Sequence, residues 1–149
     1  MPVLRSQLDV AGGEYRENRQ EMLGLLAEVE RLLGEAAAGG GPQATERLRG
    51  RGKLPVRERV ALLLDRDSPF FELSPLAGYA TNYTVGGGLL LGIGVVCGTE
   101  CVVCANDPTV LGGALTAISM RKIDRGLEIA RENRMPYVQF VESAGGDLR

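Results

Sequence analysis

Between residues 14 and 38, Met22, Leu25, Leu26, Val29, Leu32, Leu33 and Ala36 recur at helical spacing, while glutamates and arginines fill the opposite side. The pattern predicts an amphipathic helix. Gly39-Gly40-Gly41-Pro42 ends it, because glycine accepts a left-handed cap and proline cannot continue a helix. Arg47, Arg49, Arg51 and Lys53 then crowd into "ERLRGRGKLP", which reads either as a solvated linker or as a phosphate-contacting segment. Pro55 suits the first turn of a second helix whose Val56, Val60, Leu63 and Leu64 point inward. The following "DRDSPFFELSPLAG" is rich in turn formers and is expected to be irregular, anchored by Phe70, Phe71 and Leu73.

The period then changes. Residues 88–96 and 101–106 are short apolar runs expected to be strands, joined by a tight hairpin at Cys97-Gly98-Thr99-Glu100. The loop "ANDPTVLGGA" opens a predicted helix over 115–133, with Met120, Ile123, Leu127 and Ala130 as its apolar stripe; Asn133 and Pro136 mark its end. Residues 137–141 form a third strand. A hairpin followed by a helix and another strand predicts an α/β layer, not a helical bundle.

Composition narrows the chemistry. The 149 residues are 44% hydrophobic and 24% charged, which suits a globular domain, and a net charge of −2 gives no electrostatic reason to expect nucleic acid. The longest apolar run, residues 89–97, is broken by glycine and too short to span a membrane. Residues 1–9 show no signal-peptide pattern, and three cysteines point to reduced thiols in the cytoplasm. There are 21 glycines and no histidine, so Ser-His or Cys-His nucleophiles and histidine metal sites are ruled out. Chemistry here falls to backbone groups, carboxylates, lysines or a substrate's own cofactor.

Cys97, Cys101 and Cys104 have the C-x3-C-x2-C spacing of an iron–sulfur loop. Residues three apart on a strand face opposite ways, so the sulfurs of Cys101 and Cys104 diverge, and no metal is expected. Gly86-Gly87-Gly88 and Gly92-Ile93-Gly94 lack the strand–glycine–helix order of a dinucleotide loop; they are expected to mark a bulge or a tightly packed backbone. Two further loops, 106–114 and 142–146, each follow a strand. They are either plain turns or paired amide loops that could face an acyl oxygen or a phosphate.

With these residues in place, "GKLPVRERVALLLDRDSPFFEL", "GGGLLLGIGVVCGTECVVCANDPTVLGGA", "RKIDRGLEIA" and "VESAGGDL" together resemble the N-terminal domain of biotin-dependent acyl-CoA carboxylase carboxyltransferase (β) subunits, of the propionyl-CoA and methylcrotonoyl-CoA carboxylase type. The resemblance runs from about residue 50 to the last residue. It implies a crotonase-like (ClpP/crotonase) α/β fold of repeated ββα units, incomplete here, with an N-terminal helical extension. Residues 1–42 would be the helix and linker, and residues 43–149 the first part of the acyl-CoA domain. The family subunit is several times longer, so the chain is expected to be a fragment, inactive alone and with an apolar sheet face uncovered.

What the resemblance implies for function is transfer of a carboxyl group from carboxybiotin to the α-carbon of an acyl-CoA. The biotin rides on a partner carrier, with a biotin carboxylase alongside, and the full-length enzyme would be a homo-oligomer. The resemblance places the enolate's oxyanion hole at the backbone of Ala144, Gly145 and Gly146, where Ala144 departs from a family glycine. It also implies coenzyme A contacts at Gly112, Gly113, Arg121 and Lys122, although both cations could equally be solvated. Other readings of these amide loops are a crotonase-type acyl-CoA hydratase or isomerase, and a coenzyme-A-binding or assembly module without a reaction.

Overall fold

The computed structural model describes residues 6–147. Residues 1–5 and 148–149 lie outside the described residues, and with them part of the segment read for a signal peptide and the last residue of "VESAGGDL". The chain divides into two compact units, Met1–Leu32 and Leu33–Arg149. The boundary expected at residue 42 therefore falls inside the second unit. Among the described residues no helix is long and apolar enough to cross a membrane.

The first helix, α1 (Gly13–Ala38), matches its predicted span. Its apolar stripe nevertheless stays at the surface, with Met22, Leu25, Leu26 and Val29 all exposed. The basic stretch is not simply a linker: α2 (Gly41–Gly50) carries Arg47 and Arg49 in its last turn and has Pro42 in its first. Proline suits that place, since the amide it lacks would have no helical acceptor. Pro55 then caps α3 (Val56–Leu63), which buries Val56 and Val60 as expected.

The turn-rich segment holds an overlooked strand, β1 (Phe70–Glu72). Three residues are too few for a period to show, and Phe71 points outward, not into the core. β1 pairs antiparallel with β2 (Leu89–Val96), and β2 with β3 (Thr99–Asn106). Val96 opposite Thr99 leaves Cys97-Gly98 as a two-residue turn, and the two Asp65 carboxylate oxygens accept its two amides, each at 2.7 Å. The chain crosses through α4 (Ala117–Asn133) to β4 (Tyr137–Phe140), which lies parallel to β3. The sheet order is β1-β2-β3-β4.

Strand alternation sorts the core into two layers. Leu90, Cys101, Val103 and Ala105 pack with Val56 and Val60 of α3, whereas Leu89, Leu91, Val102 and Cys104 pack with Ile123 and Ala130 of α4. Cys101 and Cys104 thus face opposite sides of the sheet, and Cys97 is exposed in the turn. The central strands are covered on both faces, contrary to the expected bare apolar face. Contrary to the stripe assigned to α4, Met120 and Leu127 are exposed, and the buried side carries Ser119, Lys122, Ile123, Gly126 and Ala130. The helix has turned so that its small residues meet the sheet and its cation is enclosed. Close packing explains the strand glycines as well: a Cβ on Gly92 would collide with the Phe70 ring, and one on Gly94 with Leu64.

Two glycines therefore predict opposite outcomes. Gly92→Ala is expected to destabilise by about 1–3 kcal/mol through overpacking. Gly50→Ala, at a helical position with nothing within 4 Å of the new Cβ, is expected to be neutral or to stabilise by up to about 1 kcal/mol. Urea unfolding of both variants decides this; equal effects would show that the Phe70 contact does not constrain β2.

Candidate functional site

β3 and β4 are parallel, so both end on the same side of the sheet, and each runs into one of the two glycine loops. The loops are joined by backbone hydrogen bonds. Ala144 N–H donates to the Gly112 carbonyl (3.1 Å), Leu115 N–H to the Gly145 carbonyl (2.9 Å), and Asp147 N–H to the Leu115 carbonyl (2.8 Å). Leu111, Gly112 and Gly113 form a tight left-handed turn with φ of 49°, 64° and 77°. Gly113 must be glycine twice over, since any Cβ would also run into the Glu142 carbonyl.

This pairing sorts the three expected oxyanion donors. Ala144 N–H is committed to Gly112, and Gly145 N–H donates to its neighbour Ser143 Oγ (3.1 Å). Gly146 N–H has no acceptor among the described residues, and the residue is exposed. A cleft of about 720 Å³ opens beside the loops, lined by Thr81, Tyr83, Val110, Leu111, Ala114 and Asp147 among others. Thr116 also reaches it and starts α4 with a reciprocal cap: Ser119 N–H donates to Thr116 Oγ1 (3.2 Å), and Thr116 N–H to Ser119 Oγ (2.7 Å).

The expected coenzyme A contacts are dispersed. Gly112 lines a second groove of about 410 Å³ with Arg47, Arg51, Pro108 and Thr109, while Gly113 is buried. Of the basic stretch, Arg49 pairs with Glu58 and Lys53 with Glu142, which leaves Arg47 and Arg51 facing that groove. Arg121 sits in a shallow, open depression with Asp124, Arg125 and Glu128.

Lys122 is only 3% exposed, and its ammonium donates to the carbonyls of Gly86 (3.0 Å) and Leu89 (2.6 Å). It ties α4 to the glycine turn before β2. Burial pushes its pKa down to about 8, against the opposing pull of the Glu72 carboxylate. Burial likewise raises the pKa of the Cys104 thiol, which keeps it protonated and inert.

Two residues of the site escaped the sequence. Arg59 of α3 pairs with Glu142 (3.0 Å) and donates to the Asn106 carbonyl (3.1 Å); the Asn106 side chain, 2% exposed, donates to the Gly113 carbonyl (3.0 Å). Arg59 follows Val56 by three residues and so lies on the inward side of α3, a signal that its charge obscured.

Residues 47–149 match the family model described as the carboxyl transferase domain. The chain is 50% identical over 146 residues to the "Probable biotin-dependent acyl-coenzyme A carboxylase beta2 subunit" of Mycobacterium tuberculosis, covering 98% of this chain and 28% of that protein. It is 47% identical over 149 residues to the "Probable methylcrotonoyl-CoA carboxylase beta chain, mitochondrial" of Drosophila melanogaster, covering 98% and 26%. The beta subunit of geranyl-CoA carboxylase from P. aeruginosa superimposes with a TM-score of 0.87 at 39% identity, over 99% of this chain and 28% of that one. The chain thus spans little more than a quarter of the length of these relatives.

Enclosure of Lys122 has a measurable consequence. Its folded pKa, about 8, lies below the ordinary 10.5, so between these values the unfolded chain binds more protons and stability rises with pH. The contribution is complete above 10.5 and lost as pH falls through 8. The neutral amine still donates to both carbonyls. Measured against Lys122→Met, the wild-type unfolding free energy should gain up to roughly 3 kcal/mol between pH 7.5 and 10.5. A difference independent of pH would show that the ammonium is solvated.

Proposed function

Since this chain belongs to the carboxyl transferase domain family and has its crotonase-like fold, we propose that it forms the acyl-CoA side of a biotin-dependent carboxyltransferase. The observation that supports this most is the pair of hydrogen-bonded loops, which leaves the Gly146 amide uncommitted next to a cleft. The reaction moves a carboxyl group onto the α-carbon of an acyl-CoA. The thioester carbonyl would become an enolate oxyanion as the α-proton passes to the biotin ureido nitrogen freed of its carboxyl group, and a backbone N–H held in advance stabilises that charge without reorganising.

The walls fit such a substrate. Val110, Leu111 and Ala114 offer an apolar surface to an acyl group, and Thr81, Tyr83 and Thr116 offer hydrogen bonds. Arg47 and Arg51, beside Gly112, are placed to meet coenzyme A phosphates, in preference to Lys122, whose ammonium is already engaged. Carboxybiotin, carried on a partner protein, supplies an activated carboxyl group; the partners in this reading are a biotin carboxylase and a biotin carrier, with the complete subunit a homo-oligomer. The hydroxyl and amide side chains around the cleft bind and orient, and none is a strong base. This chain's part is to hold the acyl-CoA, exclude water and stabilise the oxyanion.

Proline at Gly145 is a poor probe, because its ring cannot adopt the φ of 122° found there. Gly146 is a better one: a Cβ there meets nothing within 4 Å. In the complete carboxyltransferase, Gly146→Ala should retain kcat, whereas Gly146→Pro, which loses the N–H, should lower kcat by roughly 10²–10³ with little change in acyl-CoA affinity. Circular dichroism and oligomer size must match wild type for both. Equal activity of the two variants would move the oxyanion donor away from Gly146.

A further inference from the structure

The parallel ladder between β3 and β4 ends at the pair Ala105 and Phe140. Beyond that pair the ladder is interrupted until the amides of Ala144, Leu115 and Asp147 join the loops again. The guanidinium of Arg59 bridges this gap. One nitrogen, Nη1, lies 3.0 Å from Glu142 Oε2 at the exit of β4, and Nη2 donates to the Asn106 carbonyl at the end of β3 (3.1 Å). The central carbon of the guanidinium lies over the Phe140 ring, 5.9 Å from its centre, which adds a cation–π contact with β4.

Both ends of the bridge lead into the loops. The Asn106 side chain holds the Gly113 carbonyl, in the turn that accepts the Ala144 amide through Gly112. Glu142 immediately precedes Ser143, and its other oxygen is held by Lys53 at 2.5 Å. We propose that Arg59 is a positioning residue for carboxyl transfer: by joining the Asn106 carbonyl to the Glu142 carboxylate, it sets the spacing of the two amide loops. This rests on the function proposed above. A planar fork is required, since a lysine ammonium on one flexible stem cannot hold both oxygens in this geometry.

The test uses Arg59→Lys and Glu142→Gln in the complete carboxyltransferase with its biotin-carrying partner. Arg59→Lys keeps the charge, and Glu142→Gln keeps the shape. Two readings are taken from each: steady-state kinetics with acyl-CoA, and hydrogen exchange at Ala144 and Leu115, whose amides join the loops, against Leu91 and Val103 in the core. Each variant should lower kcat by roughly 10–100-fold, as expected for reacting groups displaced by about 1 Å, with acyl-CoA KM within about twofold. Exchange at Ala144 and Leu115 should accelerate about tenfold while the core amides stay protected.

Unchanged exchange at those two amides overturns the proposal whatever the activity. Faster exchange with unchanged kcat overturns it as well, because the spacing would then not matter to the reaction. If KM rises as much as kcat falls, Arg59 acts on substrate binding and the proposal fails. A wild-type enzyme without carboxyl transfer would refute the functional reading, and the exchange measurement would still decide whether Arg59 holds the loops.

Discussion

Parallel pairing of β3 with β4 is the constraint on which the rest of the molecule depends. An antiparallel pair would put the two strand exits at opposite ends of the sheet. A parallel pair requires a crossover, supplied by α4, and delivers both exits to one end. Only then can Leu115 bridge to Gly146, and only then do two loops far apart in sequence become one surface. The hairpin of β2 and β3 serves that arrangement by burying residues 101–106 of β3 between α3 and α4, so that its exit is held in the core.

Hydrogen bonding at the loops follows from the same geometry. Chain that leaves a sheet loses its ladder partners, and buried backbone groups without partners are costly. The two loops and the end of β3 meet this with the amides of the facing loop, the side-chain amide of Asn106 and the partly buried guanidinium of Arg59, and the turn before β2 meets it with the enclosed Lys122. A cation gives a stronger hydrogen bond to a carbonyl than a neutral donor does, but its desolvation opposes that gain. The lowered pKa of Lys122 records that opposition, and the retained contact with both carbonyls shows which effect prevails in the folded chain.

Much of this was legible in the sequence, and the losses have physical reasons. The spans of α1, α3, β2 and β4 and the hairpin at Cys97-Gly98 follow from apolar spacing and glycine, which act within a few residues; β3 starts two residues earlier than its apolar run, because Thr99 and Glu100 pair with Val96 and Val95. β1 was hidden because three residues show no period. α2 was hidden because its charged residues read as solvated chain, although a helix can carry them on an outer face. Of the α4 stripe Met120, Ile123, Leu127 and Ala130, hydropathy places Ile123 and Ala130 correctly but not Met120 and Leu127, because the sheet accepts small residues and a lysine whose stem is apolar in their stead.

By itself the sequence determined the α/β order, the divergence of the cysteine sulfurs, the family of the chain and the two glycine loops that follow β3 and β4. These depend on local periodicity and on motifs contiguous along the chain. Tertiary structure alone decided which amide is uncommitted, which arginines face a groove and which cations are enclosed. Each of these depends on a partner far away in sequence: Gly112 for Ala144, Glu142 for Lys53, Gly86 for Lys122. A side chain's type tells what it can donate, but only the fold brings it to an acceptor, and several acceptors at this site are backbone carbonyls, which carry no signature in the sequence.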